Sequence, residues 1–317
     1  MSGESLNLAG KRVVIAGAGG MAGSAIHRRL ASEGAELLAP RRAELDLTRQ
    51  ADTERWFDAN RPDLVIMAAG KVGGIVANNT LRGEFIRDNL VMAANVIDAA
   101  WRSSVTKLLF LGSTCIYPRL APQPMAESSL LTGPLEPTNE PYAIAKIAGI
   151  KLAEAYRDQY GCDFISVMPT NLYGPGDNYH PEHSHVVAAL LRRFHEAKAS
   201  GTAEVVVWGT GTPKREFLYV DDLADACVFL LKTYSARDIV NIGTGTDISI
   251  AEFARVVAKV IGYEGRIDFD STRPDGTPRK LVDVTRLTAL GWRAKTGLEQ
   301  GLRLAYRDFL DGKPAER

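Results

Sequence analysis

Residues 11–34, KRVVIAGAGGMAGSAIHRRLASEG, decide the fold of this chain. The stretch opens with a short apolar run that is typical of a buried strand, and a glycine-rich turn follows. The rest has helical periodicity and ends at Gly34, a residue type that often terminates helices. A strand, a glycine-rich turn and a helix in this order predict the first β–α unit of a parallel sheet.

The same alternation continues along the first half of the chain. Further strands are expected at AELLAP (35–40), DLVIMAA (63–69), KLLFLGS (107–113) and DFISVMP (163–169), with helical stretches between them. Apolar strands separated by helices predict an α/β fold with a Rossmann-type, doubly wound parallel sheet covered on both faces. Shorter β segments and helices after residue 170 predict a smaller C-terminal α/β domain for a substrate.

Composition and charge narrow the functional class. The chain has 317 residues, with 38 Lys+Arg and 38 Asp+Glu, so its net charge is zero and no global attraction to nucleic acid or to a membrane is expected. No uncharged apolar run reaches the length of a membrane span. Three cysteines fit a cytoplasmic protein. His180, His183 and His185 share one loop, but no cysteine or acidic pair stands at matching spacing, so no metal site is expected.

The glycine-rich turn predicts a dinucleotide site. Gly17, Gly20 and Gly23 have GxxGxxG spacing between strand and helix, where glycine allows a tight turn and a close approach of backbone to a pyrophosphate. The helix N-terminus adds N–H donors and a partial positive charge. A plain turn between packed elements remains the alternative. The residues expected at the pyrophosphate are Gly17, Ala18, Gly19, Gly20, Met21, Ala22 and Gly23.

The end of the second strand bears on which dinucleotide binds. Proteins that bind NAD usually place an acidic residue there for the ribose hydroxyls, whereas this chain has Arg41 and Arg42. An arginine at this position suits the 2′-phosphate of NADP(H), and Arg42 is the expected ligand. Glu44 and Asp46 are close enough in sequence to leave NAD open.

A pattern of three residues predicts proton transfer. Ser113 ends the fourth strand, at the sheet edge where ligands bind in this fold class. Tyr142 and Lys146 are four residues apart on one predicted helix and therefore share a face. A nearby ammonium, and the positive nicotinamide of an oxidised dinucleotide, should lower the pKa of the tyrosine. The phenol can then exchange a proton with a carbonyl or an alcohol.

The chain resembles the GDP-L-fucose synthase family, a nucleotide-sugar branch of the extended short-chain dehydrogenase/reductase superfamily. The resemblance runs from about residue 11 to residue 310 and rests on long blocks. These include AAGKVGGIVANN (68–79), LGSTCIYP (111–118), LEPTNEPYAIAKIAGIK (135–151), MPTNLYGPGDN (168–178), VVVWGTGTPKREFLYVDD (206–222) and PDGTPRKLVDVTRL (274–287).

The resemblance implies two reactions in one pocket. The substrate would be GDP-4-keto-6-deoxy-D-mannose, epimerised at C3 and C5 and then reduced at C4 with NADPH. It assigns the base to Cys115 and the acid to His185. Without the resemblance, a purely structural role is the simpler interpretation of both residues. Cys115 would be a small buried side chain, and His185 the first residue of a helix.

The resemblance also implies a set of binding residues. Arginines and lysines are expected at the pyrophosphate of the GDP-sugar, and Lys280 is a further candidate cation. The matching substrate positions are Arg193, Trp208, Arg215 and Asp275. The matching cofactor positions, besides the glycine-rich turn and Arg42, are Leu111, Gly112, Ser113, Thr114, Lys146, Pro169, Thr170, Asn171, Leu172 and His185. One departure is Gly19, where relatives are expected to carry an arginine that grips the 2′-phosphate.

Several alternatives and expectations remain. The chain could be an epimerase/reductase for a related GDP-4-keto sugar, such as the 3-deoxy sugar of GDP-colitose synthesis, or a non-catalytic dinucleotide-sensing protein. Residues 1–170 are expected to form the NADP-binding domain, with returning segments near 215–245, and residues 171–317 mainly the GDP-sugar-binding domain. The resemblance further implies a homodimer through the helices around 84–103 and 142–160.

Overall fold

A parallel sheet forms the centre of the part of the chain that the computed structural model describes, residues 5–181, 184–273 and 275–312. Its strands and those of three smaller sheets are β1 (Arg12–Ala16), β2 (Glu36–Leu38), β3 (Leu64–Met67), β4 (Lys107–Leu111), β5 (Asp163–Pro169), β6 (Asn171–Tyr173), β7 (Glu204–Trp208), β8 (Lys214–Arg215), β9 (Phe217–Tyr219), β10 (Val240–Ile242), β11 (Ile248–Ser249), β12 (Arg266–Asp270) and β13 (Arg279–Lys280). The central sheet has the order β10-β5-β4-β3-β1-β2.

Helices cover both faces of the central sheet. They are α1 (Met21–Leu30), α2 (Gln50–Asn60), α3 (Ile75–Thr80), α4 (Arg82–Arg102), α5 (Glu140–Tyr160), α6 (Val186–Ser200), α7 (Val220–Thr233), α8 (Ile250–Ile261), α9 (Thr285–Ala289) and α10 (Leu298–Leu310). Buried side chains of α1 and α7 pack on one face, and those of α2, α4 and α5 pack on the other. The doubly wound Rossmann-type fold is therefore confirmed.

Strand β1 lies where the sheet order reverses. It pairs with β2 on one side and with β3 on the other, and all three run parallel. Ligands of doubly wound sheets bind outside the carboxyl ends of the strands at such a point. The turn after β1, at Gly17, is therefore at the binding edge of the sheet.

Local sequence signals explain where the long helix α5 begins and ends. Pro141 lies in its first turn, where a missing N–H costs nothing. Gly161 ends it in the left-handed conformation, with φ 70°. Tyr142 and Lys146 therefore lie in the first two turns of one regular helix, as the sequence predicts.

The later part of the chain packs a second core from α6, α8 and α10 with the sheets β12-β7 and β6-β9. The short strands β8 and β9 lie on either side of Glu216. Strand β10 returns to the central sheet beside β5. None of the described helices is both long and apolar enough to cross a membrane.

Candidate functional site

The turn after β1 is shaped by two glycines that no other residue could replace without a shift. Gly17 has φ +90°, and a Cβ there would lie 2.6 Å from the backbone of Ala69. A Cβ on Gly23 would lie 2.0 Å from the carbonyl oxygen of Gly17. Gly20 differs, since it is exposed and its nearest neighbour would be 3.6 Å from a Cβ. The first two glycines close the turn, and Gly20 is the exposed N-cap residue of α1.

The two arginines in the segment after β2, Arg41 and Arg42, differ in their contacts. The Arg41 guanidinium lies 3.2 Å from Glu44, whose other oxygen accepts the Arg41 N–H at 2.8 Å. Asp46 accepts hydrogen bonds from the backbone and hydroxyl of Thr48, and these bonds lower its pKa. Arg42 is exposed and makes no hydrogen bond or ion pair with any described residue. Both acidic candidates for NAD thus have hydrogen-bond partners within the chain, whereas Arg42 acts on Asp46 through its charge, which contributes to lowering the pKa of that carboxyl group.

The loop after β4 brings Ser113 and Cys115 together at the carboxyl end of the sheet. Ser113 Oγ accepts the backbone N–H of Cys115 at 3.3 Å and so caps the short 3₁₀ turn Thr114–Ile116. A Cβ on Gly112 would lie 2.4 Å from the sulfur of Met168 on β5. The loop is therefore held tightly between two central strands.

Helix α5 approaches this loop closely because of Gly149. A Cβ at that position would lie 2.5 Å from the ring of Phe110 on β4. Lys146 is buried three residues earlier, and its Nζ donates a 2.8 Å hydrogen bond to the carbonyl of Leu111. The same Nζ lies 5.8 Å from the centre of the Tyr142 ring. The structure thus brings Ser113, Cys115, Tyr142 and Lys146 to one edge of the sheet.

Burial dominates the protonation of this cluster. It raises the pKa of Tyr142 and of Cys115, and it lowers the pKa of Lys146 to about 8. The Ser113 hydroxyl and the positive charges of Lys280 and Lys146 act in the opposite direction on Cys115. In the protein without cofactor, burial and the neighbouring Cys115 raise the pKa of Tyr142 instead of lowering it.

Residues 169–172, called here the strip after β5, are held by hydrogen bonds to the second half of the chain. The N–H of Thr170 donates to Ile242 at 3.0 Å, and Asn171 Nδ2 donates to the carbonyl of Glu216 at 2.8 Å. Pro169 ends β5 and Leu172 lies on β6. This strip, the predicted neighbour of the nicotinamide, therefore contacts Glu216, the residue that follows Arg215.

His185 lies on a different element from the rest of the predicted catalytic set. It is the exposed N-cap residue of α6, with extended backbone, and its carbonyl accepts the N–H of Ala189 at 2.9 Å. His183 lies outside the described residues. Among those that are described, no three histidine, cysteine or acidic side chains are grouped to hold a metal ion.

Two arginines flank an exposed tryptophan in the second half of the chain. Trp208 ends β7 with 53% of its surface exposed. The guanidinium carbons of Arg193 and Arg273 lie 5.7 and 5.0 Å from its ring centre. Arg193 also donates to the carbonyl of Val206 at 2.7 Å. An exposed ring between cations offers a stacking surface for a planar base.

A second pair of cations lies on adjoining strands. Arg215 and Lys280 occupy the same register position of the parallel pair β8 and β13. Arg215 donates to the carbonyls of Lys214 at 2.8 Å and Asp275 at 3.4 Å, and the Asp275 carboxylate accepts both the N–H and the hydroxyl of Thr210. Burial lowers the pKa of both cations. Neither makes an ion pair within the described chain.

Sequence reasoning missed two of these residues and underused a third. Arg273 carries no motif, and only its position two residues before Asp275 could have drawn attention to it. Glu216 reads as an ordinary charge next to Arg215, yet it is completely buried. In the sequence, Lys280 is one of several candidate cations. The pairing of β13 with β8 places it beside Arg215.

Comparison with known proteins identifies the family of this chain and several similar proteins. The model of the NAD dependent epimerase/dehydratase family matches residues 13–243. The chain is 59% identical over 300 residues to GDP-L-fucose synthase 1 of Arabidopsis thaliana, covering 94% of this chain and 93% of that one. It is 56% identical over 313 residues to GDP-L-fucose synthase of Escherichia coli K12, covering 96% and 98%. Among solved structures, a GDP-L-fucose synthetase from Naegleria fowleri bound to NADP has a TM-score of 0.91 at 26% identity and covers 98% and 97% of the two chains.

Proposed function

The chain belongs to the NAD dependent epimerase/dehydratase family and, within it, to the GDP-L-fucose synthases, and from this membership we propose that it converts GDP-4-keto-6-deoxy-D-mannose to GDP-L-fucose. The reaction comprises epimerisation at C3 and C5 followed by NADPH-dependent reduction at C4. The observation that carries the proposal is the cluster of Ser113, Cys115, Tyr142 and Lys146 at one sheet edge, with Lys146 Nζ 2.8 Å from the carbonyl of Leu111.

The cofactor is NADP(H), which supplies the hydride for C4 when it is bound. The exposed N-terminus of α1 at Gly20 suits its pyrophosphate, because backbone N–H groups and a partial positive charge are presented there. Arg42 suits its 2′-phosphate, and with Gly19 in the turn it has no second arginine to help it there. The other residues proposed to line the cofactor are Leu111–Thr114, Lys146, Pro169–Leu172 and His185.

Tyr142 is proposed to donate the proton that C4 reduction needs. Burial keeps its phenol protonated, so the hydroxyl can give a proton to the oxygen that becomes an alcohol. Ser113 can hydrogen-bond the same oxygen. Lys146 is largely an ammonium at neutral pH, and its positive charge favours the loss of the phenolic proton.

Cys115 is proposed to remove the protons at C3 and C5. Both protons are acidic because both carbons flank the C4 carbonyl. Cys115 follows Ser113 by two residues, so a thiolate there would lie next to carbons adjacent to the carbonyl that Ser113 holds. Burial opposes the thiolate, and the charges of Lys280 and Lys146 favour it. His185, from α6, is the proposed acid that returns a proton on the other ring face.

The GDP group is assigned to the later part of the chain. Arg193 and Trp208 with Asp275 are proposed to bind the guanosine end, and Arg215 with Lys280 the pyrophosphate. Guanidinium and ammonium groups are suited to phosphate oxygens, and neither Arg215 nor Lys280 forms an ion pair within 4 Å of a described acidic residue. In this division of labour, residues 1–170 and the returning segments near 215–245 bind NADP(H), and residues 171–317 mainly bind the GDP-sugar.

We further propose a cytoplasmic homodimer. Helices α4 and α5 pack side by side and leave Leu90 and Ile144 exposed at 41% and 42%. A second copy of the chain could cover these side chains with the same two helices. The three cysteines are free thiols, which suits a reducing compartment.

The decisive experiment is incubation of the protein with GDP-4-keto-6-deoxy-D-mannose and NADPH, with the product identified by NMR. GDP-L-fucose is the expected product, formed with one NADPH consumed per sugar. The same assay with the 3-deoxy substrate tests the neighbouring function, because faster turnover of that sugar would point to GDP-colitose synthesis. Absence of NADPH oxidation with either sugar would refute a catalytic role and favour a dinucleotide-sensing protein.

A further inference from the structure

Glu216 is a completely buried carboxylate at the junction between the two halves of the chain. Its Oε1 accepts the backbone N–H groups of Thr244 at 2.6 Å and Gly245 at 2.8 Å, and its Oε2 accepts that of Val282 at 2.9 Å. Burial raises the pKa of this carboxyl group, whereas the hydrogen bonds that it accepts favour its charged form. The side chain thus joins three segments that are distant in sequence.

The carboxylate has room for its contacts because a glycine lies beside it. A Cβ on Gly243 would lie 2.4 Å from Glu216 Oε1, so only glycine there permits the contact. The backbone carbonyl of Glu216 is also used, since it accepts the Nδ2 of Asn171 at 2.8 Å and the hydroxyl of Thr170 at 3.4 Å. One residue therefore ties the loop after β10 to the strip after β5.

The same residue sets the place of the two unpaired cations. Arg215 precedes it directly, and the N–H of Glu216 donates to the carbonyl of Lys280 at 3.2 Å. Val282, which donates to the carboxylate, follows Lys280 by two residues. Arg215 and Lys280 repel each other, and the charge of Glu136 acts favourably on both, but neither forms an ion pair within 4 Å of a described acidic residue. The backbone that carries the two cations therefore sets the distance between them.

We propose that Glu216 is a positioning residue that holds Arg215 and Lys280 at a fixed place relative to the strip after β5, so that a diphosphate bound to these cations brings its sugar to the cluster of Cys115 and Tyr142. The inference rests on the proposed function, because it takes the ligand to be a nucleoside diphosphate sugar. Glu216 itself does not touch the ligand. Its contribution is the spacing between the anion-binding cations and the reacting carbons.

Glu216→Gln tests this role. The amide keeps the size of the side chain, but its NH₂ group faces a backbone N–H instead of accepting from it. We expect GDP to bind at least tenfold more weakly to the variant than to the wild type, measured by calorimetry on the full chain saturated with NADP⁺. The affinity for NADP⁺, measured without GDP, should stay within twofold. Glu216→Asp keeps the charge with a shorter reach and should weaken GDP binding in the same direction.

Asp222→Asn is the matched control. Asp222 is another buried carboxylate that accepts backbone N–H groups, from Thr296 at 2.8 Å and Lys295 at 3.1 Å, but it anchors the segment before α10 and does not hold Arg215 or Lys280. It should lower the melting temperature and leave GDP affinity within twofold. A merely structural Glu216 would behave in the same way.

The outcomes distinguish a failure of this inference from a failure of the proposed function. If GDP binds the wild type, and Glu216→Gln or Glu216→Asp binds it equally well while melting earlier, Glu216 is structural and the inference is wrong. If the wild type binds no GDP, the proposed substrate class is rejected, and the positioning role falls with it. If Glu216→Gln does not fold, Glu216→Asp decides by the same two affinities.

Discussion

Cys115 illustrates how opposing influences act on a single residue. Burial raises the pKa of its thiol, while the Ser113 hydroxyl and the charges of Lys280 and Lys146 lower it. Lys280 is also a proposed ligand of the substrate diphosphate, whose negative charge would weaken its influence on the thiol. Burial is the largest of these influences, and the charges that oppose it come from both halves of the chain.

Replacing Cys115 by serine should remove the epimerase activity alone. The hydroxyl keeps nearly the same size but has a far higher pKa, so we expect deuterium incorporation at C3 and C5 to fall by about 10²–10⁴-fold in heavy water. NADPH affinity should not change. His185→Ala should likewise impair epimerisation and leave NADPH binding largely intact. Exchange at the wild-type rate in Cys115→Ser, followed by NMR, would show that another group is the base.

Replacing Tyr142 by phenylalanine should remove reduction and leave epimerisation. The ring keeps its edge contact with Phe85, and only the proton donor is lost. We expect NADPH oxidation to fall by about 10²–10⁴-fold while exchange at C3 and C5 continues. Tyr117→Phe, which removes a buried hydroxyl bonded to Asn241 at 2.6 Å, is the control and should lower stability with reduction retained. Near-normal reduction in Tyr142→Phe would exclude it as the acid.

At the scale of elements, the active-site helix depends on close packing. Gly149 lets α5 rest on Phe110, and this approach carries Lys146 to the carbonyl of Leu111. The turn after β1 depends in the same way on Gly17 and Gly23. Such contacts leave no room for a Cβ, so these elements can hold the site in only one arrangement.

The turn after β2 should determine the choice between the two dinucleotides. Arg42→Ala should raise the KM for NADPH at least tenfold and barely change that for NADH, because only NADPH carries the 2′-phosphate; a charge-assisted hydrogen bond of this kind contributes about 1.5–3 kcal/mol. Arg41→Ala is the control, since Arg41 is already bound to Glu44 at 3.2 Å. Steady-state kinetics with both cofactors measure the difference. A wild-type preference for NADH would contradict the assignment of Arg42.

At the scale of the whole molecule, the site lies between two packed cores. One core belongs to the central sheet and the other to α6, α8 and α10. Glu216 and the strip after β5 connect them at the edge where the cofactor and the sugar should meet. In the proposed arrangement, the protein binds its two ligands from different halves of the chain and aligns them at this junction.

The exposed apolar side chains of α4 and α5 predict self-association. Leu90→Arg should shift the protein from dimer to monomer in sedimentation velocity at micromolar concentration, because a twofold interface would bury two unpaired charges. Leu290→Arg, on an exposed leucine that follows α9, is the control and should leave the dimer intact. A monomeric wild-type protein would contradict the proposed assembly.

The sequence by itself determined the Rossmann-type sheet, the helix with Tyr142 and Lys146, and the site edge near Ser113. These features depend on local patterns: apolar periodicity, glycines that permit a turn, and a spacing of four residues on a helix. The resemblance of long blocks to one enzyme family added the substrate class. Its assignments of Cys115 and His185 stay predictions, since they await the exchange experiments.

Only the tertiary structure decided which charges face the site and how they are held. Burial raises the pKa of Tyr142, the opposite of what its spacing from Lys146 predicts, because desolvation depends on all surrounding elements. Glu216 accepts hydrogen bonds from residues up to 66 positions away in sequence. Gly149 matters because it lets helix α5 contact the ring of Phe110 on β4. No local pattern carries such information, since contacts across the fold exist only once the elements have packed.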